Sequence, residues 1–189
     1  MLYAIQFDVQ GQPLAQCLYR LDSYDAFELP ADQHECTEAQ YHDYASQRLV
    51  SGKVRLASEA DLLPAAVAAR LAVIAEACNT TILEGFASKA LGAEHRYPAK
   101  LTDQSNLQAS VLASLFPGLA EDWATPFWCQ DAAGSWAYRP HTAAQIQRVG
   151  TDGKDAINAC IAQKIQLEEQ LAKAKTLAEV EAITWTAPQ

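Results

Sequence analysis

Between Leu63 and Phe86, apolar residues recur at three- and four-residue steps: Leu63, Val67, Leu71, Ile74, Cys78, Ile82 and Phe86. That spacing lays them along one stripe of an α-helix about seven turns long, a long rigid rod that the rest of the fold must accommodate. The helix is expected to begin between Ser58 and Asp61 and to end at Leu91, with Gly92 just beyond as the left-handed residue. Pro64 is placed in its opening turn, where amides have no intrahelical partner. A second stripe, Ile146, Val149, Ile157, Cys160, Ile161, Ile165, Leu167 and Leu171, follows the capping pair Thr142 and Gln145. Gly150 and Gly153 each cost that helix about 1 kcal/mol relative to Ala. The stripe keeps its phase across them, so the helix is read as continuous over 142–173. Stripes of this kind can pair within one chain or across two copies, which leaves a homo-oligomer open.

Ahead of these helices the periodicity changes. Tyr3, Ile5, Phe7 and Val9 alternate with Ala4, Gln6 and Asp8, the period of a half-buried strand. Asp8-Val9-Gln10-Gly11 is a turn sequence, Leu14–Tyr19 offers the returning strand, and a third strand is expected near Ala26–Leu29, ending at Pro30. Thr37 and Gln40 form a capping box that opens a helix carrying Tyr41, Tyr44, Ala45 and Leu49 and stopping at Gly52. Lys53–Ala57 can return as a strand. The expected fold class is therefore α+β. A small antiparallel sheet with one helix occupies 1–57, and a helix-rich domain with two long amphipathic helices occupies 58–189.

The second domain also holds Leu91–Tyr138, with three of the four tryptophans. Thr102 is read as a helix cap, with Asp103 in the first turn. Leu107, Val111, Leu112, Leu115 and Phe116 give that helix a buried face, and Pro117-Gly118 closes it. Phe127–Gln130 and Ser135–Tyr138 are expected to form a short β-hairpin, 127–138, around Asp131-Ala132-Ala133-Gly134. Thr176 and Glu179 form a third capping pair for a terminal helix through Ile183, with Trp185 clamping the end onto the body.

The net charge of -9, without a basic cluster, argues against nucleic acid as a partner. Five scattered cysteines, odd in number and without a CxxC pair, fit reduced thiols in a cytosol-like compartment. The opening residues lack a signal-peptide pattern, and Leu62–Cys78, interrupted by Arg70 and Glu76, is too short for a bilayer. No membrane association is expected.

Few residues propose chemistry. His34, Cys36 and His42 lack a fourth ligand for zinc, so they are read as surface groups. His95 with Asp103, Gln104 and Asn106 could do acid–base work, but capping and loop hydrogen bonds explain the same residues without a nucleophile motif. Gly150–Lys154 lacks the phosphate-loop spacing. No catalytic residue, cofactor or metal is assigned, and the chain is not read as an enzyme. Trp123, Phe127, Trp128, Trp136 and Tyr138 remain. Aromatics at this density either build a core or anchor a protein partner. Alternation along the hairpin turns Trp128 outward and puts Trp136 and Tyr138 on one face.

Gly85-Phe86, Asp103-Gln104, Asn106-Leu107, Trp128, Gly134, Trp136, Thr142 and Trp185 together resemble an uncharacterised C-terminal domain of tailed-bacteriophage proteins, over roughly residues 62–185. That domain commonly sits in tail-fibre assembly proteins and neighbouring tail genes. Glu28–Tyr44 is similar to the small leading domain of tail-fibre assembly chaperones. The resemblance implies a chaperone that binds a trimeric tail fibre or receptor-binding protein in the host cytoplasm during assembly. The alternative it implies is a structural virion component that caps or decorates the fibre or baseplate and stays in the tail. It carries over no catalytic residue.

Overall fold

The computed structural model describes residues 1–20 and 27–188. Strands and helices combine in an α+β architecture made of two compact units, Met1–Ala66 with Lys175–Leu177 and Val67–Ala174 with Ala178–Gln189.

In the first unit β1 (Leu2–Phe7) lies between β2 (Pro13–Tyr19) and β3 (Gln33–Cys36), antiparallel to both. Asp8 builds the β1–β2 turn: its Oδ1 accepts the Gln10 and Gln12 N–H groups at 2.9 and 2.8 Å, and its carbonyl accepts the Gly11 N–H at 3.0 Å. Gly11 is left-handed at φ +78°, and a Cβ there would sit 2.4 Å from the Leu49 carbonyl oxygen, so only glycine fits. The strand expected at 26–29 is displaced. Phe27–Leu29 is not extended into a ladder, and Ala26 lies outside the described residues. A turn in which the Gln33 N–H bonds the Pro30 carbonyl leads instead into β3.

The Thr37–Gln40 box forms as expected, but the helix it opens, α1 (Glu38–His42), lasts little more than one turn. A 3₁₀ turn, Tyr44–Ser46, gives way to β4 (Gln47–Val50), which pairs with β5 (Lys53–Leu56) as a separate two-stranded sheet. Ser51 and Gly52 both have positive φ, 51° and 76°, the requirement of a tight type I′ hairpin. Leu49 fell at helical spacing from Tyr41 and Ala45, but it pairs with Val54 across this hairpin.

α2 (Glu59–Leu83) buries Ile74 and Cys78. Pro64 stands inside it, beyond the first turn, and the helix stops at Leu83, short of Leu91. Gly85 ends it at φ +100°, in a place where a Cβ would meet the Tyr97 carbonyl oxygen at 2.2 Å. Phe86, expected to continue the helical stripe, instead opens β6 (Phe86–Ser88). β6 pairs with β7 (His95–Tyr97), followed by β8 (Ala124–Gln130) and β9 (Trp136–Thr142), in the order β6-β7-β8-β9. The expected hairpin is thus half of a four-stranded antiparallel sheet.

Two further helices complete the second unit's frame, α3 (Leu101–Ala113) and α4 (Ala143–Leu171). α4 starts at the Thr142–Gln145 box and is unbroken across its glycines. Those glycines are contact points. A Cβ on Gly150 would lie 2.7 Å from Val111 Cγ2 of α3, and one on Gly153 would lie 2.7 Å from Phe86 Cζ of β6. They let α4 lie flush on its neighbours, which sequence arithmetic counted only as a helix penalty. Ile146 and Val149 complete the core with Phe86, Tyr97, Ala99, Phe127 and Cys129. Ile161 and Ile165, expected in the stripe, are exposed. After α5 (Leu177–Ala182), the Trp185 indole N–H donates to Thr81 Oγ1 at 3.0 Å, the expected clamp. Among the described residues no helix is long and apolar enough to cross a membrane.

Candidate functional site

The β8–β9 hairpin turns on Asp131, built as the Asp8 turn is. Asp131 Oδ1 accepts the Ala133 and Ser135 N–H groups, its carbonyl accepts the Gly134 N–H, and Gly134 is left-handed. Arg139 fastens the other side, with Nη2 2.6 Å from Asp131 Oδ2 and Nη1 donating to the Cys129 carbonyl at 2.7 Å. The Ser135 amide first, and then the Arg139 charge, hold the Asp131 carboxyl below the usual carboxylate range. This rigid turn fixes the register Phe127↔Arg139, Trp128↔Tyr138 and Gln130↔Trp136.

Register and alternation then sort the five aromatic candidates. Phe127 points inward and is 6% exposed, packed in the core. Trp123 is half-buried against the same core. Trp128, Trp136 and Tyr138 share the outer face, 38%, 38% and 71% exposed. The Trp128 and Trp136 rings stack with centroids 6.1 Å apart at 15°, and Trp128 meets Tyr138 at 4.8 Å and 56°. Pro126 and Pro140, paired across the hairpin, stand exposed on the same face. Offset and tilted ring pairs of this kind hold one another in place, so the cluster is a preformed platform.

Across from the platform stands α3. Its helix starts at Leu101, one residue before the expected cap Thr102, and Asp103 Oδ2 accepts the Lys100 N–H at 3.1 Å. Gln104 bonds the Ala99 carbonyl. His95 sits on β7 with Nδ1 3.0 Å from the Ala93 carbonyl oxygen, and no ion pair joins it to Asp103 among the described residues. Leu107 and Val111 pack on the core as expected, whereas Leu112, Leu115 and Phe116 are 57%, 62% and 59% exposed. The helix ends at Ala113, so the last two lie past the face they were assigned to.

Asp103 and Asn106 of α3 and Trp128 and Tyr138 of the hairpin line one concavity of about 390 Å³. Sequence reasoning singled out both groups but not their meeting, because the approach of α3 to the hairpin is a tertiary fact. A larger concavity of about 750 Å³ lies between α3 and α4, bordered by Leu101, Leu107, Val111 and Ile157. Its polar border includes Gln104, Thr151, Lys154 and Asp155.

The buried polar pair of the sheet is structural. Tyr97 Oη is 2.9 Å from His141 Nε2, and His141 Nδ1 is 2.8 Å from the Arg139 carbonyl oxygen. Both side chains are fully buried. Burial lowers the proton affinity of His141 and keeps the Tyr97 phenol protonated. In the first unit, His34 packs edge-on to Phe7 at 6.0 Å and His42 lies 3.9 Å from Glu38. Among the described residues no three His, Cys, Asp or Glu side chains converge as a metal site would require.

Residues 65–185 match a family described as a domain of unknown function, DUF4376. No curated protein and no solved structure matches the chain.

Proposed function

The chain belongs to the DUF4376 family, and from that premise we propose that it works by binding another polypeptide, as an assembly chaperone for a phage tail-fibre or receptor-binding protein. The observation that carries this reading is the outward platform of Trp128, Trp136 and Tyr138 beside a concavity. An aromatic side chain can bury about 150–250 Å² in a contact, and a few such anchors supply most of an interface's energy. The resemblance of Gly85-Phe86, Asp103-Gln104, Asn106-Leu107, Trp128, Gly134, Trp136, Thr142 and Trp185 to a C-terminal domain common in phage tail-fibre assembly proteins supports a tail fibre as the partner. Such a chaperone shields apolar fibre surface in the host cytoplasm until the trimer closes.

The test is co-expression with a candidate tail-fibre protein of the same source, followed by affinity capture. Retention of the fibre by the wild-type chain, and its loss in Trp128→Ala/Tyr138→Ala, supports the proposal. Equal capture by both chains refutes it. Washed virions then separate assembly from structure. A chaperone is absent from them, whereas a virion component is present at fixed stoichiometry.

A further inference from the structure

The concavity beneath the platform has two unlike walls. One is formed by the rings of Trp128 and Tyr138, tilted 56° to each other. Aromatic faces carry partial negative charge, so two rings at an angle make an electron-rich corner. The other wall is α3, which contributes Asp103, Asn106, Ala109 and Ser110. Asp103 uses Oδ2 to accept the Lys100 N–H, and it enters no ion pair among the described residues. No Lys or Arg lines the concavity. The one charged side chain of its lining is thus an anion, the aromatic faces add partial negative charge, and Asn106 and Ser110 can donate or accept, so the lining favours a cation. The chain's net charge of -9 acts in the same direction at longer range.

Size and shape narrow the occupant. About 390 Å³ is near the lower end of ligand-sized concavities and suits one long side chain with a little backbone, not a docked helix. A guanidinium is flat, stacks on aromatic faces, and donates N–H groups in the plane to a carboxylate and an amide oxygen. An ammonium can do only part of this. The geometry points to an arginine-binding site, in which an Arg side chain from an extended segment of the partner polypeptide stacks on Trp128 and Tyr138 and donates to Asp103 and Asn106. This rests on the partner-binding reading above and specifies the chemistry of what is bound.

The probe is the capped peptide acetyl-Gly-Ser-Arg-Ser-Gly-amide, titrated into the full chain while the four Trp indole N–H signals are followed by NMR. The control replaces Arg by citrulline, which has the same shape without the charge. A saturable shift of the Trp128 indole is expected with the Arg peptide. It should be at least about tenfold weaker with citrulline and in Asp103→Asn, and it should weaken with added salt. Asn keeps the bond to the Lys100 amide, so this variant tests charge without disturbing the helix start. Equal binding of the citrulline peptide, or no shift at millimolar Arg peptide, overturns the site. Capture of the co-expressed fibre protein is read in parallel. Fibre capture without Arg-peptide binding sinks this site alone, and Arg-peptide binding without fibre capture sinks the fibre reading alone.

Discussion

Replacing Tyr97 by Phe removes a single oxygen from the interior of the second unit and leaves the ring stacked on Phe86, 5.6 Å away at 16°. The Arg139 carbonyl can only accept, so His141 Nδ1 carries its proton toward it. Nε2 of the neutral ring is then an acceptor that Tyr97 O–H satisfies at 2.9 Å. In Tyr97→Phe that acceptor stays buried without a partner, at a cost of about 1–3 kcal/mol. For a unit of this size the melting temperature falls by about 4 °C per kcal/mol, so a drop of about 4–12 °C is expected. All four tryptophans lie in the second unit, which makes intrinsic fluorescence a selective readout of its melting. In a His141→Ala background the phenol itself loses its partner, so the Phe substitution should there cost nothing or stabilise. An equal penalty in both backgrounds would refute the hydrogen-bond reasoning. Acid supplies a second check. Because burial lowers the folded-state proton affinity of His141, the unfolded chain takes up the proton first, near its ordinary value of 6.5. Stability of the second unit should thus be flat above that pH. It should decline below it by up to about 1.4 kcal/mol per pH unit until the folded state also protonates.

Gly153→Ala should lower the second unit's melting temperature despite a helix-propensity gain of about 1 kcal/mol. The added methyl meets the buried Phe86 ring at 2.7 Å, and overpacking costs about 1–3 kcal/mol; a rise in melting temperature contradicts this. Thr142→Ala removes the side-chain cap of α4 and should cost about 1 kcal/mol in a denaturant melt, with no change if the box is incidental. In the first unit, Arg55 first and Ser58 next hold the Asp61 carboxyl well below the usual range. The stability it confers is present above the unfolded carboxyl's pKa and is lost as pH falls through the folded value. Amide NMR of the first unit should show a flatter acid limb in Asp61→Asn, and identical profiles would exclude the ion pair as the cause.

What could be seen in the sequence was what is decided locally. Asp8–Gly11 and Asp131–Gly134 form the same side-chain-to-amide turn because all the groups lie within five residues. The Thr37–Gln40 and Thr142–Gln145 boxes succeeded for the same reason. The misses came where one spacing serves two structures. Phe86 follows Ile82 by four residues and Leu49 follows Ala45 by four, yet both lie on strands, because Gly85 and the Ser51-Gly52 turn redirect the chain. At the candidate site, strand alternation was enough to turn Trp128 outward and to put Trp136 and Tyr138 on one face, but not to say that this face is also the outer one. That Asp103 lines one concavity with Trp128 and Tyr138 is a tertiary fact, which no periodicity encodes.

Hydroxyl-radical footprinting of the chain, free and in complex with the proposed fibre partner before its trimer closes, asks most directly whether the aromatic platform is the working surface. Oxidation of Trp128, Trp136 and Tyr138 should fall strongly in the complex, while that of Trp185, held by Thr81, stays as it was. Three rings as reactive in the complex as in the free chain, with protection appearing elsewhere, would contradict the proposal that this face does the binding.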